Sequence, residues 1–175
     1  DLVYYGESGA LNESYSDILA CAVEWANQPV NLSGMPGFSD WMLGEDSWLA
    51  SPALRDMRNP KAYGQPSYYK GEYWYSGTDD NGGVHTNSGV QNFAFYLLAY
   101  GGTGSNEGTP YSIQGIGSAA AAKVAMRANT VYLTSTAKYL DSRRAWVRAA
   151  RDLGHPVQTL HAVWNAVGVF DPLVP

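Results

Sequence analysis

A mainly α domain, with four to five helices packed bundle-like around one core and a long irregular segment laid over one end, is predicted by three features. Apolar residues recur at helical spacing in separate stretches, Gly or Pro punctuates the stretches, and no alternating apolar/polar run competes as a strand. The chain has 175 residues, enough to bury a full hydrophobic core as one domain over 1–175 or as one half of a two-domain enzyme.

The first helix is predicted from about Gly9 to Ala26, because Leu11, Tyr15, Ile18, Leu19, Ala22, Val23 and Trp25 recur at helical spacing and Pro29 closes the segment. From Asn27 to Thr86 the periodicity gives way to Gly, Pro, Ser and aromatic residues. One short helical turn is predicted there, capped by Ser51, with Pro52 first and Ala53 to Met57 following. Irregular connections this long are uncommon and often functional, so this stretch is where a binding surface is expected. Ser88 caps the next predicted helix, whose apolar face is Val90, Phe93, Ala94, Leu97 and Leu98 and which Gly101 and Gly102 end; a glycine-rich loop follows. Ser118 caps an alanine-rich helix to about Val131, Thr136 one that runs to Leu153, and Pro156 opens a last helix ending near Gly168.

Composition narrows the function. Hydrophobic residues are 45% and charged residues 15%, which excludes a disordered polyelectrolyte. A net charge of −5 gives no electrostatic reason to bind nucleic acid or an anionic membrane, and no apolar stretch approaches the roughly 18 residues of a spanning helix. The single Cys21 cannot close an internal disulfide, and it falls in an apolar setting that reads as packing. Thirteen Tyr, six Trp and 19 Gly favour an exported or ligand-handling protein.

Two constellations could carry chemistry. Glu13, Asp17 and Glu24 fall within roughly 40° of one another on the first helix. A solvated face is the plain reading. Yet like charges at i, i+4 repel, and no basic residue occurs between Asp1 and Arg55, so the group is also a candidate for coordinating a cation or meeting a basic group from elsewhere in the fold. The second constellation runs from Asp79 to Gly89. There Gly82 and Gly83 allow a tight turn ahead of a helix and set His85 near Asp80. A histidine fixed by a carboxylate on one ring nitrogen can donate from the other to a developing oxyanion. The alternative is a turn histidine bonded to local backbone. His155 reads as a capping or solvent residue and His161 as a satisfied core-edge histidine, while Arg55 reads as a local partner of Asp56 or a forked donor to a substrate carbonyl.

Taken together these segments resemble the C-terminal half of the thermolysin-like zinc metalloproteases. Tyr4-Tyr5-Gly6-Glu7-Ser8-Gly9-Ala10-Leu11-Asn12-Glu13-Ser14-Tyr15-Ser16-Asp17 is similar to that family's N-E-S-G-A-L-N-E-A-x-S-D helix start, with Gly6 where Asn is usual. The likeness continues in Leu43 to Asp46, Ala53 to Met57, Asp80 to Gly89 and Ala162 to Val169, in the family's order. The resemblance implies the fold of that helical domain and a secreted, extracellular endopeptidase with zinc as cofactor and peptides or proteins as substrates. It implies Glu13 as the third zinc ligand and Asp17 as the carboxylate orienting a zinc-binding histidine. His85 and Tyr4 would be the oxyanion donors, with Asp80 holding His85, and Arg55 would grip a substrate carbonyl. Leu43 and Leu54 would line a hydrophobic pocket that selects bulky residues after the scissile bond. Glu24, Asp40 and Glu45 resemble calcium ligands, although Met42 stands where better-furnished members carry another acid.

One departure is large. No H-E-x-x-H occurs, and that helix supplies two zinc ligands and the general-base glutamate. The expectation is a C-terminal domain alone, whose partner is the N-terminal half of the same protease, and which is inactive in isolation because catalytic zinc sites use three protein ligands. A carbohydrate-binding or interaction module with an acidic helix face is the alternative, with Trp41, Trp48, Tyr68, Tyr69, Tyr73, Trp74 and Tyr75 as stacking platforms.

Overall fold

A computed structural model describes residues 1–27, 41–45 and 53–174. Helix α1 spans Gly6–Asn27; the short strands β1 (Met42–Leu43) and β2 (Arg55–Asp56) pair antiparallel, and a single 3-10 turn covers Pro60–Tyr63. Then come α2 (Asp79–Asn87), α3 (Gly89–Tyr100), the hairpin β3 (Gly101–Asn106) and β4 (Thr109–Gln114), α4 (Ser118–Arg127) with a π turn at Ala128–Tyr132, α5 (Tyr139–Asp152) and α6 (Val157–Ala166). The mainly α prediction holds. Among the described residues no helix is long and apolar enough to cross a membrane.

Helix α3 is the centre because it is apolar nearly all round, and such a helix must be enclosed. Val90, Ala94, Phe95, Leu97 and Leu98 are all within 1% of full burial. Around it α1 contributes Leu11, Tyr15 and Ile18, α5 contributes Trp146, and α6 contributes Leu160, Val163 and Trp164. The two tryptophans meet edge to face at 5.2 Å, and the Trp146 indole N–H donates to Tyr15 Oη at 2.9 Å where α1 meets α5, whereas Trp164 Nε1 is buried without a hydrogen-bond partner. Full burial of each such aromatic contributes roughly 1.5–3 kcal/mol. Cys21 is packed beside Met57, its Sγ 3.9 Å from the thioether sulfur, consistent with a packing role.

Several local expectations are corrected. Ala53 to Met57 is not a helical turn: Leu54 N–H donates to Leu43 O and Met57 N–H to Trp41 O, each at 2.8 Å, which draws the segment out as strand β2. The predicted Ser51 cap and Pro52 lie outside the described residues. The glycine-rich segment after α3 is a hairpin closed by Glu107 and Gly108, both at positive φ as a two-residue primed turn requires. Its glycines hid the alternation. Ser88 does not cap with its side chain but donates back to His85 O at 3.1 Å. Helix α5 begins at Tyr139 rather than near Thr136, because the Asp141 carboxylate accepts from Lys138 N–H at 2.9 Å and fixes the start there.

The chain beyond α6 is tied down by Asp171, whose carboxylate accepts a fork from Arg144 Nε and Nη2 at 2.8 and 2.9 Å. These bonds hold its pKa down to about 2 against burial, with Leu173 N–H helping. A depressed folded-state pKa contributes stability that is complete above the unfolded value near 3.9 and lost as pH falls toward about 2. Asp171→Asn is therefore expected to be less stable than the parent chain at pH 5, with the gap narrowing between about pH 4 and pH 2; urea midpoints measured across that range check it.

Candidate functional site

The site is built where the N-terminal turn of α1 meets α2. Residues Asp80, Asn81, Gly82 and Gly83 all have positive φ, a left-handed turn followed directly by the right-handed turn that carries His85. Left-handed backbone costs an L-residue roughly 1–2 kcal/mol, which two glycines avoid. At Gly83 (φ +78) an added Cβ would also meet the Tyr75 ring at 2.6 Å. Gly83→Ala is accordingly expected to destabilise the chain by about 2–3 kcal/mol, read as a lowered urea midpoint. The reversal of hand turns Asp80 back onto the histidine.

Asp80 Oδ2 accepts from His85 N–H at 2.9 Å, and Asp80 Oδ1 lies 2.6 Å from His85 Nδ1. Gln65 Nε2 donates to His85 O at 2.6 Å and secures the backbone from the other side. With Nδ1 engaged by a carboxylate, Nε2 is the ring atom presented outward. It lies 3.2 Å from Tyr4 Oη and 3.3 Å from Glu13 Oε2. Tyr4 Oη in turn donates to Glu13 Oε1 at 2.5 Å. That hydrogen bond, with burial next, pushes the Tyr4 phenol up to about 12, so it stays a protonated donor through the neutral range. Of the sequence-predicted residues, Tyr4, Glu13, Asp80 and His85 therefore share one cluster.

Asp17 lies one turn along α1 from Glu13 and is only 4% exposed, so the acidic stripe is not a solvated face. Its counter-charge is Arg55 on β2, which grips it with Nη2 to Oδ1 at 2.7 Å and Nε to Oδ2 at 2.9 Å. The local Arg55–Asp56 pair does not form; Asp56 accepts from Arg58 instead, at 3.0 Å. Asn92 of α3 supplies a third donor to Asp17, Nδ2 to Oδ2 at 2.7 Å, and is itself 1% exposed. Burial pushes the Asp17 carboxyl upward in pKa, opposed by Arg55 and then Asn92.

Asn92 and Gln65 were not singled out in the sequence. Asn92 had a signal, an amide in the otherwise apolar helix from Val90 to Leu98, whereas Gln65 sits in the irregular segment and had none. Leu43 is buried in the core and Leu54 is 43% exposed, joined through their backbones. Glu24 is half-buried on α1 and Glu45 half-buried after β1; Asp40 lies outside the described residues. His155 is half-buried between α5 and α6, and His161 Nδ1 faces Arg143 Nη2 at 3.3 Å. Of the aromatic residues that would stack sugars, Trp41 lies against Trp25, Phe95 and Tyr96, and Tyr69 and Trp74 against Tyr139, whereas Tyr73 is exposed. Trp48 lies outside the described residues.

Whether these residues fit a metal can be tested on their own chemistry. Glu13 is a carboxylate with an 18% exposed side chain whose partners are the Tyr4 phenol and the His85 ring, a suitable single oxygen ligand. Among the described residues no three His, Cys, Asp or Glu gather to hold an ion. A complete centre would need donors from outside these residues.

The family described as the alpha-helical domain of thermolysin metallopeptidases matches residues 1–169. A bacillolysin of Brevibacillus brevis is 42% identical over 96% of the chain, and a thermolysin of Alicyclobacillus acidocaldarius 42% identical over 97%. The chain spans 30% of the length of each of these relatives. In fold it is similar to the precursor of protealysin, a metalloproteinase from Serratia proteamaculans, with a TM-score of 0.69 at 24% identity over 97% of this chain and 52% of that one. Fold, motif order and sequence identity agree, and the chain belongs to the family of thermolysin-type metallopeptidase helical domains.

Proposed function

We propose that the chain is the C-terminal half of a secreted zinc-dependent endopeptidase, acting on peptide or protein substrates together with an N-terminal half that carries H-E-x-x-H. The observation that carries this reading is the convergence of the Tyr4 phenol, His85 Nε2 and the Glu13 carboxylate within 2.5–3.3 Å of one another, with His85 fixed by Asp80. Glu13 would be one protein ligand of the metal. Zinc, when bound, supplies Lewis acidity and lowers the pKa of a coordinated water.

The remaining work belongs to side chains on this chain. Tyr4 and His85 would donate hydrogen bonds at the position where negative charge grows on the substrate carbonyl; Asp80 already fixes the His85 ring, whereas Tyr4 turns its single O–H from Glu13 to the oxyanion. Arg55 is locked by both arms of Asp17, which leaves Nη1 to donate to a substrate carbonyl. Asp17 keeps lone-pair capacity for a histidine N–H from the other half. Exposed Leu54, with Leu43 beneath its backbone, supports a preference for cleavage before bulky apolar residues. Glu24, Asp40 and Glu45 would provide carboxylates for calcium.

The test joins this chain to the N-terminal half of a thermolysin-type protease. Zinc-dependent, chelator-sensitive hydrolysis of casein is expected, and Glu13→Gln is expected to abolish it together with stoichiometric zinc retention. Casein turnover that survives both chelation and Glu13→Gln would overturn the reading. The 175-residue chain alone is expected to give no turnover of the same substrate under the same conditions, since it offers a single metal ligand.

A further inference from the structure

Far from Glu13 in sequence, α5, α6 and the C-terminal residues line an open cavity of about 260 Å³, room for several waters. Its lining is cationic in a chain of net charge −5: Arg143, Arg144, Arg148 and Arg151 from α5 and His161 from α6, against one carboxylate, Asp171. Arg144, Arg148 and Arg151 follow one another at i, i+4 and i+7, a ridge of like charges that is unfavourable on a helix without a counter-ion. Asp171 is already committed to the fork from Arg144. The nearby Asp152 is taken by Arg127 and Tyr132.

Arg143 is the decisive residue. It is 1% exposed, yet its partners are all neutral: Asn165 Oδ1 at 2.6 Å, Val169 O, and the ring of His161. Its Nε is buried with no hydrogen-bond partner. Burying a guanidinium without an anion bonded to it is costly, and burial lowers its pKa, opposed by the field of Asp171 and added to by that of Arg144. Because His161 Nδ1 accepts from the Arg143 guanidinium, the neutral ring carries its proton on Nε2, one further donor among the cavity-lining residues.

We propose that this cavity is a binding site for a doubly charged oxyanion of the phosphate or sulfate class, held by Arg148, Arg151 and His161 and supplying the counter-charge that Arg143 lacks. Tetrahedral oxyanions suit it because their acceptor oxygens point in several directions at once, which matches donors arriving from two helices. The site does not depend on the protease reading, since no residue of the Glu13 cluster takes part.

Titration calorimetry of the 175-residue chain with inorganic phosphate, at fixed ionic strength with chloride as the balancing salt, tests it. Saturable binding at one site is expected, with the His161 ring nitrogen resonances moving in proportion to occupancy. The surface double variant Arg148→Gln/Arg151→Gln keeps the buried Arg143 intact and is expected to fold and to bind phosphate at least about ten-fold more weakly, the loss of a charge-assisted hydrogen bond or more. Tighter binding of glycerol phosphate than of the free ion would identify an ester as the preferred form of the same ligand, and the reverse would identify the free ion. No heat beyond that of chloride, unchanged affinity in the double variant, or binding that leaves His161 unmoved would each overturn the proposal.

Discussion

Arg55→Ala is expected to lower the unfolding free energy by about 3–5 kcal/mol, because it strands the Asp17 carboxylate at 4% exposure without its cation. That is a large share of the roughly 5–15 kcal/mol available to a domain. Asn92 alone would then face the charge, and one neutral amide cannot replace a forked guanidinium. The loss should depend on pH. Asp17 already has a raised pKa, since burial outweighs Arg55, and removing Arg55 raises it further. A carboxyl with a raised folded-state pKa contributes stability that is fully present below its unfolded value near 3.9 and is lost as pH rises through the folded value. Arg55→Ala should therefore lie closest to the parent chain near pH 4 and fall progressively behind toward pH 7. Asp17→Asn in the Arg55→Ala background should recover part of the deficit at pH 7, because an amide carries no charge to strand. Urea unfolding of the four chains of this cycle at pH 4 and pH 7 measures the coupling directly.

The same pair shows what was legible in the sequence. Helical periodicity placed Glu13 and Asp17 one turn apart on α1, and the lack of nearby basic residues raised the question of a distant partner. It could not name that partner, since Arg55 reaches Asp17 only because Ala53 to Met57 runs extended beside Trp41 to Leu43. A five-residue segment with no periodicity carries no information about such pairing. Strand β3 was invisible for a related reason: Gly101, Gly102 and Gly104 remove the alternating side chains on which a strand is recognised, leaving only the Glu107-Gly108 turn as a trace. The helices were legible because their apolar stripes are long. The His85 loop was partly so: paired glycines predicted a tight turn, but not that four successive left-handed residues would fold Asp80 back onto the ring. Motif resemblance implies what spacing could not, a shared role for Tyr4, Glu13 and His85, which lie 81 positions apart at the extremes.

In the enzyme completed by its N-terminal half, His85→Ala is expected to lower kcat by about 10²–10³ with KM little changed, the signature of a donor used only as charge develops in the transition state. The side chain is 52% exposed, so truncating it opens no core cavity, and loss of activity cannot be laid to unfolding. Its backbone N–H and carbonyl keep their bonds to Asp80 and Gln65, which preserves the turn. Tyr4 would remain as the second donor, and for that reason the loss should stop short of inactivity. Tyr4→Phe should cost less than His85→Ala, because the phenol is shared with Glu13 at 2.5 Å and gives up part of its donor strength to that carboxylate. The double variant separates two arrangements: donors acting independently lose the product of the single effects, whereas donors acting through one shared hydrogen-bond array lose little more than the larger of them. Since Tyr4 Oη and His85 Nε2 lie 3.2 Å apart over the same carboxylate, the less-than-multiplicative result is expected. Initial rates on a furylacryloyl dipeptide, with zinc content measured on each variant, decide between them; an equal rise in KM and no fall in kcat for His85→Ala would place the histidine in ground-state binding instead.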